Sequence, residues 1–363
     1  MKKLKAMLLA LIVTAAMTTG CAAGGNDSNS GVSDTTVSAE TTSAETTSAA
    51  DTASLETEKT DEETAKATET TEPENGDEED EENYDTGDAS LDNIRNQDEI
   101  GESELLVISF GTSFNDSRRL TIGAIENDLE AAFPDFSVRR GFTANIVIDH
   151  VERRDGIHID DINEALDRAA NNGVKTLVIQ PTHLMNGIEY EEIVGKVANY
   201  SDAFEKVVFG EPLLTSDDDF KRVEKAITEW TAEYDDGETA VVFMGHGTEH
   251  EANGVYPKLQ DMLTSDGYSN YFIGTVEAAP TLDDVLAAVK NGGYKRVILE
   301  PLMVVAGDHA NNDMAGSDED SWKTAFENEG YEVVCLLRGL GENEEIRQIY
   351  IDHAQAAINS ITE

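Results

Sequence analysis

Cysteine, tryptophan and proline are scarce in this sequence, with two, two and seven copies in 363 residues. The cysteines are Cys21 and Cys335 alone, which excludes a disulfide-stapled fold. Base is scarce as well: 26 Lys and Arg stand against 74 Asp and Glu, a formal net charge of -48. So acidic a chain lacks the positive footprint of a nucleic-acid binder, and no nucleic-acid partner is expected. "SFGTSFNDS" has one glycine and no lysine, so it is no phosphate-cradling Walker loop. The apolar stretch near the start is shorter than the roughly 18 to 20 residues that cross a bilayer.

What is present begins with "MKKLKAMLLALIVTAAMTTGC", lysines followed by an apolar stretch and small residues, which reads as a bacterial secretory signal over residues 1–21. Cys21 stands where a lipoprotein signal places its lipid-bearing cysteine, although Thr18 replaces the usual leucine. An exported protein held through a lipid on Cys21 to the extracytoplasmic face of a membrane is expected. Residues 22–104 are mostly Ser, Thr, Ala, Glu and Asp, with little to bury against the entropy of ordering, and read as a disordered acidic tether. Cys335, within "YEVVCLLRG", has no basic neighbour in sequence to lower its pKa and is expected as a buried strand thiol.

From Leu105 onward, apolar strands alternate with amphipathic helices, as in "ELLVISFGTS", "TIGAIENDLEAAFP" and "KTLVIQPTHLMNG". Strands apolar throughout indicate a parallel sheet covered on both faces. The order then recurs. "ETAVVFMGHGTEH" matches "SELLVISFGTSFN", "NYFIGTVEAAP" matches "FSVRRGFTAN", and "GYKRVILEPLMVVAGDHANND" matches "GVKTLVIQPTHLMNGIEYEEI", with Pro181 and Gly187 opposite Pro301 and Gly307. The expected fold is therefore α/β: two duplicated doubly wound lobes, 105–234 and 235–363, each with a mostly parallel four-stranded sheet flanked by helices, facing a central cleft. Ligands of such folds bind beyond the carboxyl ends of the strands.

Duplication turns the two halves into controls for each other. Phe110 stands opposite His246, Thr143 opposite Glu277, and Glu189 opposite His309. The second half thus places two histidines and a glutamate at three neighbouring strand ends, a borderline donor set suited to Co, Ni, Fe or Zn. In the first half, His183 and Glu189 in "PTHLMNGIEYEE" should face the cleft from the other side, with Phe110, Gly111 and Thr112 as further candidates for substrate contact. His250 is expected near the entrance and His158 exposed at a turn. Arg118, Arg139, Arg140, Arg153 and Arg154 are expected mainly in surface or ion-pair roles, some of them available to substrate carboxylates. Asp308 and Asp313 flank His309 as loop-shaping or proton-relay carboxylates.

"VISFGTSFNDSRR", "QPTHLMNGIEYEEI", "VVFMGHGTEH", "LEPLMVVAGDHANNDMAGSDEDSWK" and "GLGENEEIR" together resemble the anaerobic sirohydrochlorin cobaltochelatases, class II chelatases with a ferrochelatase-like fold. The resemblance runs from Leu105 to the C-terminus and implies insertion of Co2+ into sirohydrochlorin or a related tetrapyrrole during cobalamin synthesis, releasing two protons. It implies His246, Glu277 and His309 as metal ligands, His246, His309 and Glu189 as catalytic groups, and His183 in the cleft. No organic cofactor is implied, and a bound haem or a homo-oligomer is left open. The export signal fits poorly with a cytoplasmic biosynthetic step. An alternative is therefore a lipid-anchored protein that binds a tetrapyrrole, haem or metal without turnover.

Overall fold

The computed structural model describes residues 86–98, 100–200 and 202–361. The expected signal segment, Cys21 and the tether up to residue 85 lie outside the described residues. Among the described residues no helix is long and apolar enough to cross a membrane.

The first half runs β1 (Ser103–Ser109), α1 (Asn115–Leu120), α2 (Ile122–Ala132), β2 (Ser137–Phe142), α3 (Asn145–Asp155), α4 (Ile162–Asn171), β3 (Thr176–Pro181), α5 (Ile188–Ala198), β4 (Lys206–Phe209) and α6 (Asp217–Trp230). The second runs β5 (Thr239–Gly245), α7 (Val255–Ser265), β6 (Tyr271–Thr275), α8 (Leu282–Gly292), β7 (Arg296–Pro301), α9 (Trp322–Asn328), β8 (Glu332–Cys335) and α10 (Glu344–Ser360). Helix starts follow the local chemistry: α4, α6 and α8 open on the reciprocal capping pairs Asp161/Glu164, Ser216/Asp219 and Thr281/Asp284.

The duplication holds strand by strand. One sheet has the order β2-β1-β3-β4 and the other β6-β5-β7-β8, all parallel. Ile108 pairs with Pro181 as Met244 pairs with Pro301, so the expected proline equivalence is real. The second strand end departs by one residue. Thr143 donates its N–H to Ser109 O as Val276 does to Gly245 O, and Ala144 bonds Phe110 O as Glu277 bonds His246 O. The counterpart of Glu277 is therefore Ala144 and not Thr143, because hydrogen-bond register, rather than matched turn residues, fixes the equivalence.

Both faces of each sheet are buried, as apolar-throughout strands require. Leu106 and Ile108 of β1 pack with α4 and α5, while Leu105 and Val107 face the opposite way into a core shared with α2, α6 and α10. Val241 and Phe243 of β5 join that same core, and Ala240, Val242 and Met244 face α8 and α9. Each fully buried Val, Leu, Ile, Phe or Met among them contributes about 1.5 to 3 kcal/mol.

Two expected boundaries shift. The C-terminal helix α10 belongs with the first lobe and not the second: Ile346, Ile349, Tyr350, Ala354 and Ala357 enter the core shared with α2 and α6. Tyr350 donates to Thr182 O at 2.9 Å, and Arg347 pairs with Asp128 at 2.5 Å. Nor does the tether continue to residue 104. Residues 86–98 form a strap against the first lobe, held mainly by charge, with Ile94 packing on the Ile122, Phe142 and Ile148 cluster, which is why composition made it look unpackable. Asp92 meets Arg118 and Arg140, each at 2.7 Å, while Arg140 also binds Glu126 at 2.7 Å. The Arg95 carbonyl accepts from Arg139 Nε at 2.8 Å. Buried arginines need such partners, since an uncompensated buried charge is strongly destabilising. Burial opposes ionisation of Asp92, yet Arg140 and Arg118 hold its carboxyl below the ordinary value.

Candidate metal centre

Three strand ends of the second lobe converge. Gly245 and Gly247 frame His246: a Cβ on Gly245 would fall 2.2 Å from the Tyr256 ring, and Gly247 has a φ of +89° with Ala278 N 2.8 Å from a hypothetical Cβ. Only glycine fits both places, so the backbone turns tightly and leaves His246 as the one side chain projecting there. Glu277 follows β6 and is tied to His246 directly, its N–H donating to His246 O at 2.8 Å. His309 follows β7, just before a wide helical turn over Ala310–Met314.

The metal-binding atoms of His246, Glu277 and His309 all lie within 4.8 Å of one another. The two imidazole centroids are 4.6 Å apart with the rings at 87°, and His246 Nδ1 is 3.6 Å from Glu277 Oε2. His246 Nδ1 bonds Gly247 O at 2.9 Å and His309 Nδ1 bonds Asp313 Oδ2 at 2.6 Å, so each ring keeps Nε2 for another partner. The Asp313 bond raises the pKa of His309 above its ordinary value against the opposing effect of burial, and the charges of Asp308 and Glu277 add to the rise. Two imidazoles and one carboxylate, all partly exposed, can hold a divalent ion while leaving coordination positions open.

The first lobe faces this group. Glu189, at the start of α5, has its carboxyl raised by partial burial, with His246 lowering it and Glu192 and Glu277 raising it further, which places it within electrostatic reach of the cluster. Phe110, just beyond β1, is 46% exposed, and Ile188, the first residue of α5, 52%. The lobes touch below: Ala306 N donates to Ser117 Oγ at 3.0 Å, and a Cβ on Gly307 would fall 3.0 Å from Thr112 Oγ1.

Several expected site residues stand elsewhere. His183 is buried, neither ring nitrogen has a hydrogen-bond partner, and burial pushes its pKa down to about 4, so it is a neutral interior imidazole and not an open cleft group. Gly111 supplies a turn at φ +108°, and Thr112 is buried against the Gly307 loop, leaving Phe110 as the member of that trio with a free surface. His250 accepts from Ala252 N at 3.1 Å and lies 3.8 Å from Glu191 of the first lobe, outside the cluster. Arg118, Arg139 and Arg140 are buried in ion pairs, and Arg154 bonds Ser113 O at 2.6 Å and Asp155 Oδ2 at 2.7 Å. Arg153 Nη2 lies 3.5 Å from His150 Nδ1.

A second convergence, His158, Asp160 and Glu164, is already occupied by protein. Arg168 grips Asp160 at 2.6 and 2.9 Å, and Glu164 closes the cap of α4. Cys335 is half-buried on β8, with its thiol pushed up to about 11 by burial, in keeping with an inert strand thiol. Sequence reasoning passed over Tyr256, whose hydroxyl accepts from Gly247 N at 3.3 Å. Its spacing with Leu259 and Leu263 on α7 signals only a core residue.

Two duplicated α/β lobes, one of which gathers two imidazoles and a carboxylate able to hold a metal ion at its strand ends, define a class of two-lobed α/β protein with a candidate metal centre. Within that class, the family model described as cobalt chelatase (CbiK) matches residues 103–359, and the chain belongs to that family. It is 40% identical over 259 residues to a sirohydrochlorin cobaltochelatase of Salmonella typhimurium, covering 71% of this chain and 97% of the relative. To sirohydrochlorin cobaltochelatase CbiKC of Nitratidesulfovibrio vulgaris it is 31% identical over 276 residues, covering 75% and 97%. Among solved structures, SirB from Bacillus subtilis with Fe3+ aligns at a TM-score of 0.49 and 12% identity, over 72% of this chain and 98% of that one.

Proposed function

We propose that this chain inserts Co2+ into sirohydrochlorin, replacing the two pyrrole N–H protons of the ring with the metal. The observation that carries this is the convergence of His246, Glu277 and His309 within 4.8 Å in a chain of the cobalt chelatase family. These three hold the ion with few and exchangeable bonds, as a metal that must be handed on requires. Glu189, facing them from the other lobe, accepts a ring proton, and burial, by raising its carboxyl above the ordinary glutamate value, makes it a stronger base for that role. Phe110 and Ile188 offer an apolar wall to the macrocycle face. The surrounding carboxylates Glu192, Glu277, Asp308 and Asp313 draw divalent cations to the cleft. Ni2+, Fe2+ and Zn2+ suit the same donors, so the metal used depends on supply as much as on affinity.

The reaction is tested by mixing the protein with Co2+ and sirohydrochlorin and following the ring absorbance. Insertion well above the metal-plus-ring control supports the reading. Ring or metal binding without acceleration would show a binder instead. We also infer export and anchoring through Cys21, from the lysine-apolar-small pattern ahead of it. Labelling cells with a fatty-acid analogue tests this, and a Cys21→Ser variant that still takes up label would contradict it.

A further inference from the structure

His309 is held by a device that the first lobe lacks. The turn after it is anchored at Ala310 and Met314, both fully buried, and closes with Ala315 N donating to Ala310 O at 3.2 Å. Three successive side-chain bonds at i, i+4 spacing run along it. Asn311 Nδ2 donates to Gly307 O at 2.7 Å, Asn312 Nδ2 to Asp308 Oδ1 at 2.6 Å, and His309 bonds Asp313 at 2.6 Å. The first two shape the loop. The third ends on the cluster itself.

The equivalent stretch of the first lobe is ordinary α-helix, α5, in which Glu189 occupies the place of His309 and buried Ile193 the place of Asp313. Histidine and aspartate therefore occur together in the lobe with the cluster and are both missing from the other. Wide helical turns of this kind cluster at functional sites. The two imidazoles are also held unequally: His246 Nδ1 hydrogen-bonds a neutral carbonyl at 2.9 Å with the Glu277 carboxylate further off at 3.6 Å, whereas His309 Nδ1 hydrogen-bonds an anionic carboxylate at 2.6 Å.

We propose that Asp313 is the positioning residue of the site: accepting from Nδ1–H of His309, it fixes the ring's tautomer and rotation so that the Nε2 lone pair points at the cobalt. This rests on His309 being a ligand, as proposed above. A carboxylate in this place both orients an imidazole and strengthens its donation to a metal, and losing one typically costs about 10- to 100-fold in affinity.

The test is titration of the protein with Co2+, read by the visible d–d absorption of the bound ion, for wild type, Asp313→Ala, Asp313→Asn and His309→Ala. Asp313→Ala is expected to weaken Co2+ binding about 10- to 100-fold and shift the absorption, with an unchanged melting temperature. Asp313→Asn keeps an acceptor of the same shape and should fall between it and wild type. Wild-type affinity and spectrum in Asp313→Ala, with binding lost in His309→Ala, would overturn the inference and leave the ligand set standing. So would a loss of affinity that merely follows lowered melting temperatures across both Asp313 variants. Wild-type binding in His309→Ala would overturn the ligand set itself.

Discussion

The two lobes share strand order, direction and register, and differ at the three positions where their strands end. One presents Phe110, Ala144 and Glu189, the other His246, Glu277 and His309. The fold therefore does not require the donors, because one copy stands without them. It requires only that strand ends converge, which parallel sheets of this order provide in both copies. On the proposed function, the division gives one wall for a ring and one for a metal. Either wall alone would lack half of the reaction.

That comparison is broken most severely by giving the second lobe the residues of the first. His246→Phe, Glu277→Ala and His309→Glu together should abolish Co2+ insertion, and His246→Phe alone should lower it by more than the roughly 100-fold typical of a merely supporting residue. A steady-state assay with unchanged thermal melting checks this. Next in size is Glu189→Gln, expected to lower turnover about 100-fold while Co2+ affinity holds, as for a group that moves a proton and does not bind metal. Because burial raises the Glu189 carboxyl, wild-type turnover should climb with pH through a value above the ordinary 4.5 of a glutamate, and the Gln variant should lose that limb. Equal pH profiles would remove Glu189 from the mechanism.

Away from the cleft, Asp92→Asn leaves Arg118 and Arg140 short of a partner and should cost about 3 to 5 kcal/mol in denaturant unfolding. The sign with pH follows from a lowered carboxyl: the contribution is fully present above the ordinary value of 3.8 and is lost as pH falls through the lower folded value. The gap between wild type and variant should therefore close only in acid. The smallest effect is expected from Phe110→Ala, a rise in KM for the tetrapyrrole of about 2- to 10-fold, matching the 0.5 to 1.5 kcal/mol of one aromatic contact.

Much of this was legible in the sequence because a duplicated chain carries its own control. The paired prolines gave the register of the outer halves, and the contrast of Phe110 with His246 and Glu189 with His309 pointed to the cluster. Glu277 was found for a slightly wrong reason, since its counterpart is one residue further on and only backbone bonding reveals that. The strap was missed because composition measures what a segment can bury among apolar groups, whereas Asp92 and the Arg95 carbonyl act by satisfying charges buried elsewhere. Placing α10 in the wrong lobe has a similar origin: its apolar face fits any core, and the chain's return to the first lobe is a long-range event. His183 has the same neighbours in sequence whether it opens to the cleft or turns inward, and only packing distinguishes the two.

Whether the second lobe alone holds the metal, through two imidazoles and a carboxylate, is decided by X-ray absorption at the cobalt edge of the Co2+-loaded protein. Wild type should show the multiple-scattering features of two imidazoles, and His246→Phe/Glu277→Ala/His309→Glu should lose them. Identical spectra from the two proteins, or a wild-type shell of oxygen alone, would contradict that assignment.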